Sequence, residues 1–134
     1  MTVSLRPRRL EVKRRMGITT VRVTLVNARD DRRRIEADMV VDFGAIYSVV
    51  PTSILRQIGV TARQTETFGL ADGSSIRRKV GEVRFELQSK EGVSKVIFGR
   101  SGDASLLGAL TLETLGLALN PLKRTLHPLK LMIA

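Results

Sequence analysis

Asp42 is the residue whose type and setting best suit chemistry. It follows the apolar run Met39-Val40-Val41 and precedes Phe43-Gly44-Ala45. A carboxylate at the end of an apolar strand loses hydration, which disfavours its charged form. Gly44 lets the backbone turn tightly beside it and approach another group. A carboxylate held there could take a proton from water and return it to a leaving group. An Asp that merely closes a strand-to-turn junction, bonding to nearby N–H groups, would look the same in isolation. Composition narrows the other chemistries. The chain has no Cys, so disulfides, thiolate metal sites and a Cys nucleophile are excluded. Its one His, His127, excludes a zinc site built on several imidazoles. Lying between Leu126 and Pro128, His127 is expected to be a surface or packing residue.

The elements that must position Asp42 are mostly strands. Ile18 to Asn27 alternates Val21, Val23 and Leu25 with other residues and predicts a strand. Ala28 to Asp31 is turn-like, and Arg34 to Val41 predicts the strand that delivers Asp42. A short apolar stretch, Ile46 to Val50, follows. Pro51 suits the first turn of a helix reaching Ile58, with Gly59 as its stop. Thr65 to Ala71 and Ser75 to Leu87 predict strands joined at Asp72-Gly73, with positive φ expected at both turn positions. Glu91-Gly92 predicts a further hairpin into Val93 to Phe98. Leu106-Leu107-Gly108-Ala109 leads to a second helix, stopped at Gly116. Leu117 to Leu126 folds back as a short hairpin around Pro121 to Arg124. Aromatics are only 4% of the chain, so the core is expected to be aliphatic.

Three segments together resemble the retropepsin-like aspartic proteases, in particular small prokaryotic single-lobed members. Val40-Val41-Asp42-Phe43-Gly44-Ala45 is similar to their active-site strand, which usually reads apolar-apolar-Asp-Thr/Ser-Gly-Ala. Phe68-Gly69-Leu70-Ala71-Asp72-Gly73 is similar to the hairpin flap over their cleft. Leu106-Leu107-Gly108 matches their apolar-apolar-Gly loop, which packs beside the active-site strand. The likeness runs in order from about Thr20 to Pro128. It implies a mainly β, retropepsin-like acid protease fold: a single closed β lobe with two short helices and a flap hairpin. It also implies an aspartic endopeptidase with Asp42 as the catalytic residue, acting on extended polypeptides without metal or organic cofactor. Only one Asp occupies the motif, so the resemblance implies a homodimer with one Asp42 from each subunit. Phe43 stands where the family has Thr or Ser. That hydroxyl bonds across the family's dimer axis; a phenyl ring instead would bury apolar surface there. A catalytically impaired lobe that binds peptides or dimerises is the alternative on the same fold. Asp42-Phe43-Gly44 also spells the magnesium-binding triplet of protein kinases, but the chain lacks their other motifs and their length.

The formal charge is +10, and half of it lies at the start. Arg6, Arg8, Arg9, Lys13, Arg14 and Arg15 outweigh Glu11 there by a net +5. Such a segment can contact nucleic acid or anionic surfaces, or can be a solvated extension, or can precede a true start at Met16. A nucleic-acid role would show as salt-sensitive binding lost on removing residues 1–15. The expected organisation is a basic extension over 1–16, a protease-like domain over 17–128 and a C-terminal tail over 129–134. No apolar run approaches the ~18 residues of a membrane span, and no signal-like segment opens the chain, so a cytoplasmic location is expected.

Overall fold

Alternating apolar residues carry the first hairpin. In β1 (Thr19–Asn27) Val23 and Leu25 face inward and are fully buried. They lie beside Ala37 and Met39 of β2 (Asp30–Val41), whose register runs Thr19 opposite Val41 to Val26 opposite Arg34. The connecting turn is tighter than the sequence suggested: Asp30 already belongs to β2, and Ala28-Arg29 form the bend. The computed structural model describes residues 18–42, 44–120 and 122–129, so the basic segment with Arg6, Arg8, Arg9, Lys13, Arg14 and Arg15, and Phe43, lie outside the described residues.

The chain is mainly β. After β2 come β3 (Ser48–Pro51), α1 (Thr52–Gln57), β4 (Gln64–Gly69), β5 (Ser75–Leu87), β6 (Lys90–Gly99), β7 (Leu106–Leu107) and α2 (Ala109–Thr114). β8 (Leu117–Asn120) and β9 (Thr125–Pro128) make a separate antiparallel pair. The large sheet has the order β1-β2-β7-β3-β6-β5-β4, and an extra β1–β5 pairing, from Thr24 opposite Glu86 to Val26 opposite Arg84, closes it on itself. Six strands therefore form a closed lobe, and β4 stands outside the ring, paired among the described residues only with β5. Closure removes most of the free strand edges that would otherwise template association.

The core inside the ring is largely aliphatic, as expected: Val23, Met39, Val50, Leu55, Val83, Val96 and Leu107 are all fully buried. Phe85 and Phe98 are its aromatic members. α1 and the residue that follows it contribute Leu55 and Ile58, and α2 and the residue that follows it contribute Leu112 and Leu115. Gly59 and Gly116 take φ of 74° and 71° just past the two helices, as a helix stop requires.

Three turn expectations are corrected. Pro51 closes β3, and α1 begins after it at Thr52. Between β5 and β6 the reversal is at Gln88-Ser89, with Leu87 opposite Lys90 and Gln88 at φ 58°, so Glu91-Gly92 lies within the strand. Gly92 serves close approach instead: a Cβ there would lie 2.7 Å from Thr114 Cγ2, where α2 crosses the strand. Between β4 and β5 only Gly73 has positive φ, 88°; Asp72 does not share it. Gly73 N–H donates to Leu70 O at 3.0 Å and Leu70 N–H to Ser74 O at 2.8 Å, so the connection spans Leu70 to Ser74 rather than two residues. Asp72 stabilises it by accepting from Ser74 N–H at 2.9 Å and from the Ser74 hydroxyl. These bonds, led by the hydroxyl, hold the Asp72 carboxyl below its ordinary range.

Candidate active site

The positioning of Asp42 begins with β7. This two-residue strand is inserted between β2 and β3, parallel to β2 through Val40–Leu106 and Val41–Leu107, antiparallel to β3 through Val49–Leu106. The loop from Asp42 to Tyr47 must therefore pass over the end of β7. Asp42 N–H donates to Leu107 O at 3.2 Å, which fixes the start of the loop. Ala109 N–H donates to Ala45 O at 2.9 Å and Leu110 N–H to Ile46 O at 3.0 Å, which fix its far side. Gly108 allows this contact. A Cβ there would lie 2.5 Å from the Tyr47 carbonyl carbon, closer than any side chain tolerates.

A buried hydroxyl cluster lies beneath the loop. Ser48 Oγ accepts from Gly108 N–H at 2.9 Å and shares a hydrogen bond with Thr111 Oγ1 at 2.6 Å. Thr111 Oγ1 also meets Ser94 Oγ at 3.1 Å. Ser48 and Thr111 are 0% exposed, so each bond counts: leaving one such group unpaired costs about 1–3 kcal/mol. The cluster ties β3, β6 and α2 to the loop that follows Asp42. The sequence carried a signal for it. Ser48 and Ser94 sit at inward positions of the alternating pattern, flanked by buried Val50 and Val96.

Asp42 itself is half-buried. Its Oδ1 accepts from Gly44 N–H at 2.9 Å, and Ala45 N–H donates to its carbonyl at 3.2 Å. No hydrogen bond to Oδ2 occurs among the described residues. One carboxylate oxygen is thus oriented by the backbone, and the other remains available to a water or a second acid.

A groove of about 630 Å3 opens next to this loop. Gly44 and Ala45 line it, as do Phe68, Gly69 and Leu70 of the β4–β5 hairpin and Leu106 of β7. The structure therefore brings together members of all three segments singled out in the sequence. Asp42 precedes the lining residues rather than joining them, Leu107 is buried behind it, and Ala71, Asp72 and Gly73 form the exposed hairpin tip. The floor is Val49, Ile97 and Leu106 on adjacent strands, with Ile76 and Tyr47 at the sides. Tyr47 meets Phe68 edge-on, ring centroids 5.6 Å apart, and Lys95 Nζ lies 5.0 Å over the Tyr47 ring. Lys95 also bonds both oxygens of Glu66 at 3.1 and 3.0 Å, clamping the base of the hairpin to β6. Sequence reading missed Tyr47, Ile76, Arg78, Ile97 and Asp103, because a groove assembled from five strands leaves no contiguous motif. A second hollow of about 520 Å3, near Arg33 and Gly59, contains none of the candidate site residues named from the sequence.

No group of three or more His, Cys, Asp or Glu side chains that could hold a metal ion occurs among the described residues. None of the described helices is long and apolar enough to cross a membrane. His127 is exposed, with Nδ1 3.2 Å from Pro128 O, far in sequence and in sheet from Asp42. No protein-family model matches the chain. No curated protein matches it either.

Proposed function

We propose that this chain is a retropepsin-like aspartic endopeptidase that works as a twofold homodimer. The observation that carries this reading is the setting of Asp42: a half-buried carboxylate oriented by Gly44 N–H, on a loop clamped by β7 and α2, beside a groove bordered by a projecting hairpin. One carboxylate per chain calls for a second from a partner copy. Two adjacent carboxylates cannot both ionise easily, so the pair shares one proton. The ionised member takes a proton from a water as that water attacks the peptide carbonyl, while the protonated member donates to the carbonyl oxygen. The resulting tetrahedral carbon then releases the amine, which takes a proton from the pair, while a hydroxyl of the collapsing diol returns one to it, leaving the product carboxyl and the pair again with one shared proton. The titration belongs to the pair and not to either residue. An extended substrate suits a groove whose floor and sides are strands.

A second reading is a peptide-binding lobe on the same architecture, and Phe43 favours it by replacing the hydroxyl expected across the axis. Incubation with an unfolded protein mixture between about pH 4 and 7, beside Asp42→Asn, separates the two. The protease reading expects cuts that Asp42→Asn reduces by about 10²–10⁴-fold or more. Absence of cleavage by a folded, dimeric wild-type protein would transfer the conclusion to the binding lobe.

A further inference from the structure

The groove lining carries two charged residues among the described residues, and they are not equivalent. Asp103, on the loop after β6, already accepts from Arg100 N–H at 2.7 Å. Arg78, on β5, is half-buried in the groove wall and makes no ion pair among the described residues. Its one side-chain hydrogen bond among them runs from Nη1 to the adjacent Arg77 carbonyl at 3.0 Å. Glu66 sits opposite Arg78 in the β4–β5 register and would be its natural partner. Both Glu66 oxygens are instead held by Lys95, and one also by Gln64. A guanidinium with free donors in an apolar groove is a carboxylate receptor, since its planar fork matches two carboxylate oxygens.

Spacing adds to this. Ile76 and Arg78 lie two residues apart on β5, hence on one face, and both line the groove. An extended peptide has the same two-residue period. We infer that the groove selects peptides carrying an acidic side chain two positions from a bulky aliphatic one, with Arg78 as the specificity-determining residue. This rests on the proposed peptide-cleaving or peptide-binding use of the groove, and it goes beyond that use by naming the ligand's chemistry. The Tyr47, Phe68 and Ile76 side chains would cover the aliphatic residue while Arg78 takes the carboxylate.

The test measures binding of fluorescent decapeptides to the full-length Asp42→Asn protein, which cannot consume them. Three peptides differ at one position, two residues from a single Leu: Glu, Gln or Lys. At about 50 mM salt the Glu peptide is expected to bind on the order of tenfold tighter than the Gln peptide, and the difference should shrink as salt rises. Arg78→Gln should abolish that preference, and Arg78→Glu should turn it toward the Lys peptide. Equal binding of Glu and Gln peptides overturns the inference, as does a preference that survives Arg78→Gln or a lack of binding by all three. Parallel incubation of the wild-type protein with all three peptides keeps the two ideas separate. Selective binding without cleavage would refute the protease reading and sustain the charge selection. Cleavage of all three peptides at equal rates would do the reverse.

Discussion

In the β1–β2 hairpin Val23, Leu25, Ala37 and Met39 are buried, whereas no residue of β4 is buried, and β5 buries nothing before Val80. The charges differ in the same way. Arg22 pairs with Glu36 and Asp38, Arg34 with Glu86, and Arg84 with Asp31 and Glu86. On the other hairpin Arg77, Arg78 and Lys79 form no ion pair among the described residues. Exposed pairs contribute little stability each, and the contrast is one of degree, since Arg33 of β2 also forms no ion pair among the described residues and donates instead to the Gln57 carbonyl at 3.5 Å. The first hairpin is a wall of the closed lobe. The second is held by its backbone ladder, by Glu66–Lys95 and by the Tyr47–Phe68 contact. Segments with few buried apolar contacts open at lower free energy than the core, which is what a cover over a groove requires.

The largest effect should separate the two hairpins by a core truncation in each. Met39→Ala deletes a fully buried side chain and is expected to cost about 2–5 kcal/mol in urea denaturation. Phe68→Ala removes a half-buried ring from the groove wall and should cost about 1 kcal/mol or less, while weakening peptide binding severalfold. Comparable destabilisation by both variants would break the contrast between wall and cover.

A smaller effect is expected at the hairpin tip. Gly73 has φ 88°, and a Cβ there would meet nothing within 4 Å, so Gly73→Val introduces backbone strain without a clash. That strain is about 1–2 kcal/mol and should be confined to the tip. Faster amide exchange at Leu70 and Gly73, with reduced peptide turnover and a nearly unchanged Tm, is the expected pattern. Turnover and affinity identical to wild type would remove the tip from any role in substrate closure.

The sequence showed the wall more fully than the cover or the groove. β5 was legible to the residue, because Ser75 to Leu87 holds two alternating runs, meeting at Val80-Gly81, between a turn and a polar reversal. β1, β4 and the helices were legible to within a residue or two, through period-two patterning and the glycines that end α1 and α2. Gly92 misled because glycine marks turns and close contacts alike, and only the path of α2 distinguishes them. A closed lobe was implied by the resemblance alone; the β1–β5 pairing that closes the ring left no local mark, since it joins strands about sixty residues apart. The same holds for the groove. Asp42, Gly44 and Leu106 were accessible as motif residues. Arg78 is not, because it is unusual only in that Glu66 is occupied by Lys95.

That occupancy leads to the smallest expected effect, a pH dependence of the cover alone. The Gln64 amide, and after it Lys95, hold the Glu66 carboxyl below its ordinary range. A carboxyl whose folded pKa is lowered stabilises the fold above its unfolded value, here about 4.5, and loses that contribution as pH falls through the folded value. Amides of β4 should therefore lose exchange protection on acidification before those of β1, once intrinsic rates are corrected. Glu66→Gln should show no such acid step, and its β4 protection at neutral pH should match wild type in acid. Protection of β4 and β1 falling together would mean that the cover is not an independently opening unit. Loss in β4 alone would mark the hairpin as an independently opening unit, and would free Lys95 from Glu66 as a second cation for an acidic peptide.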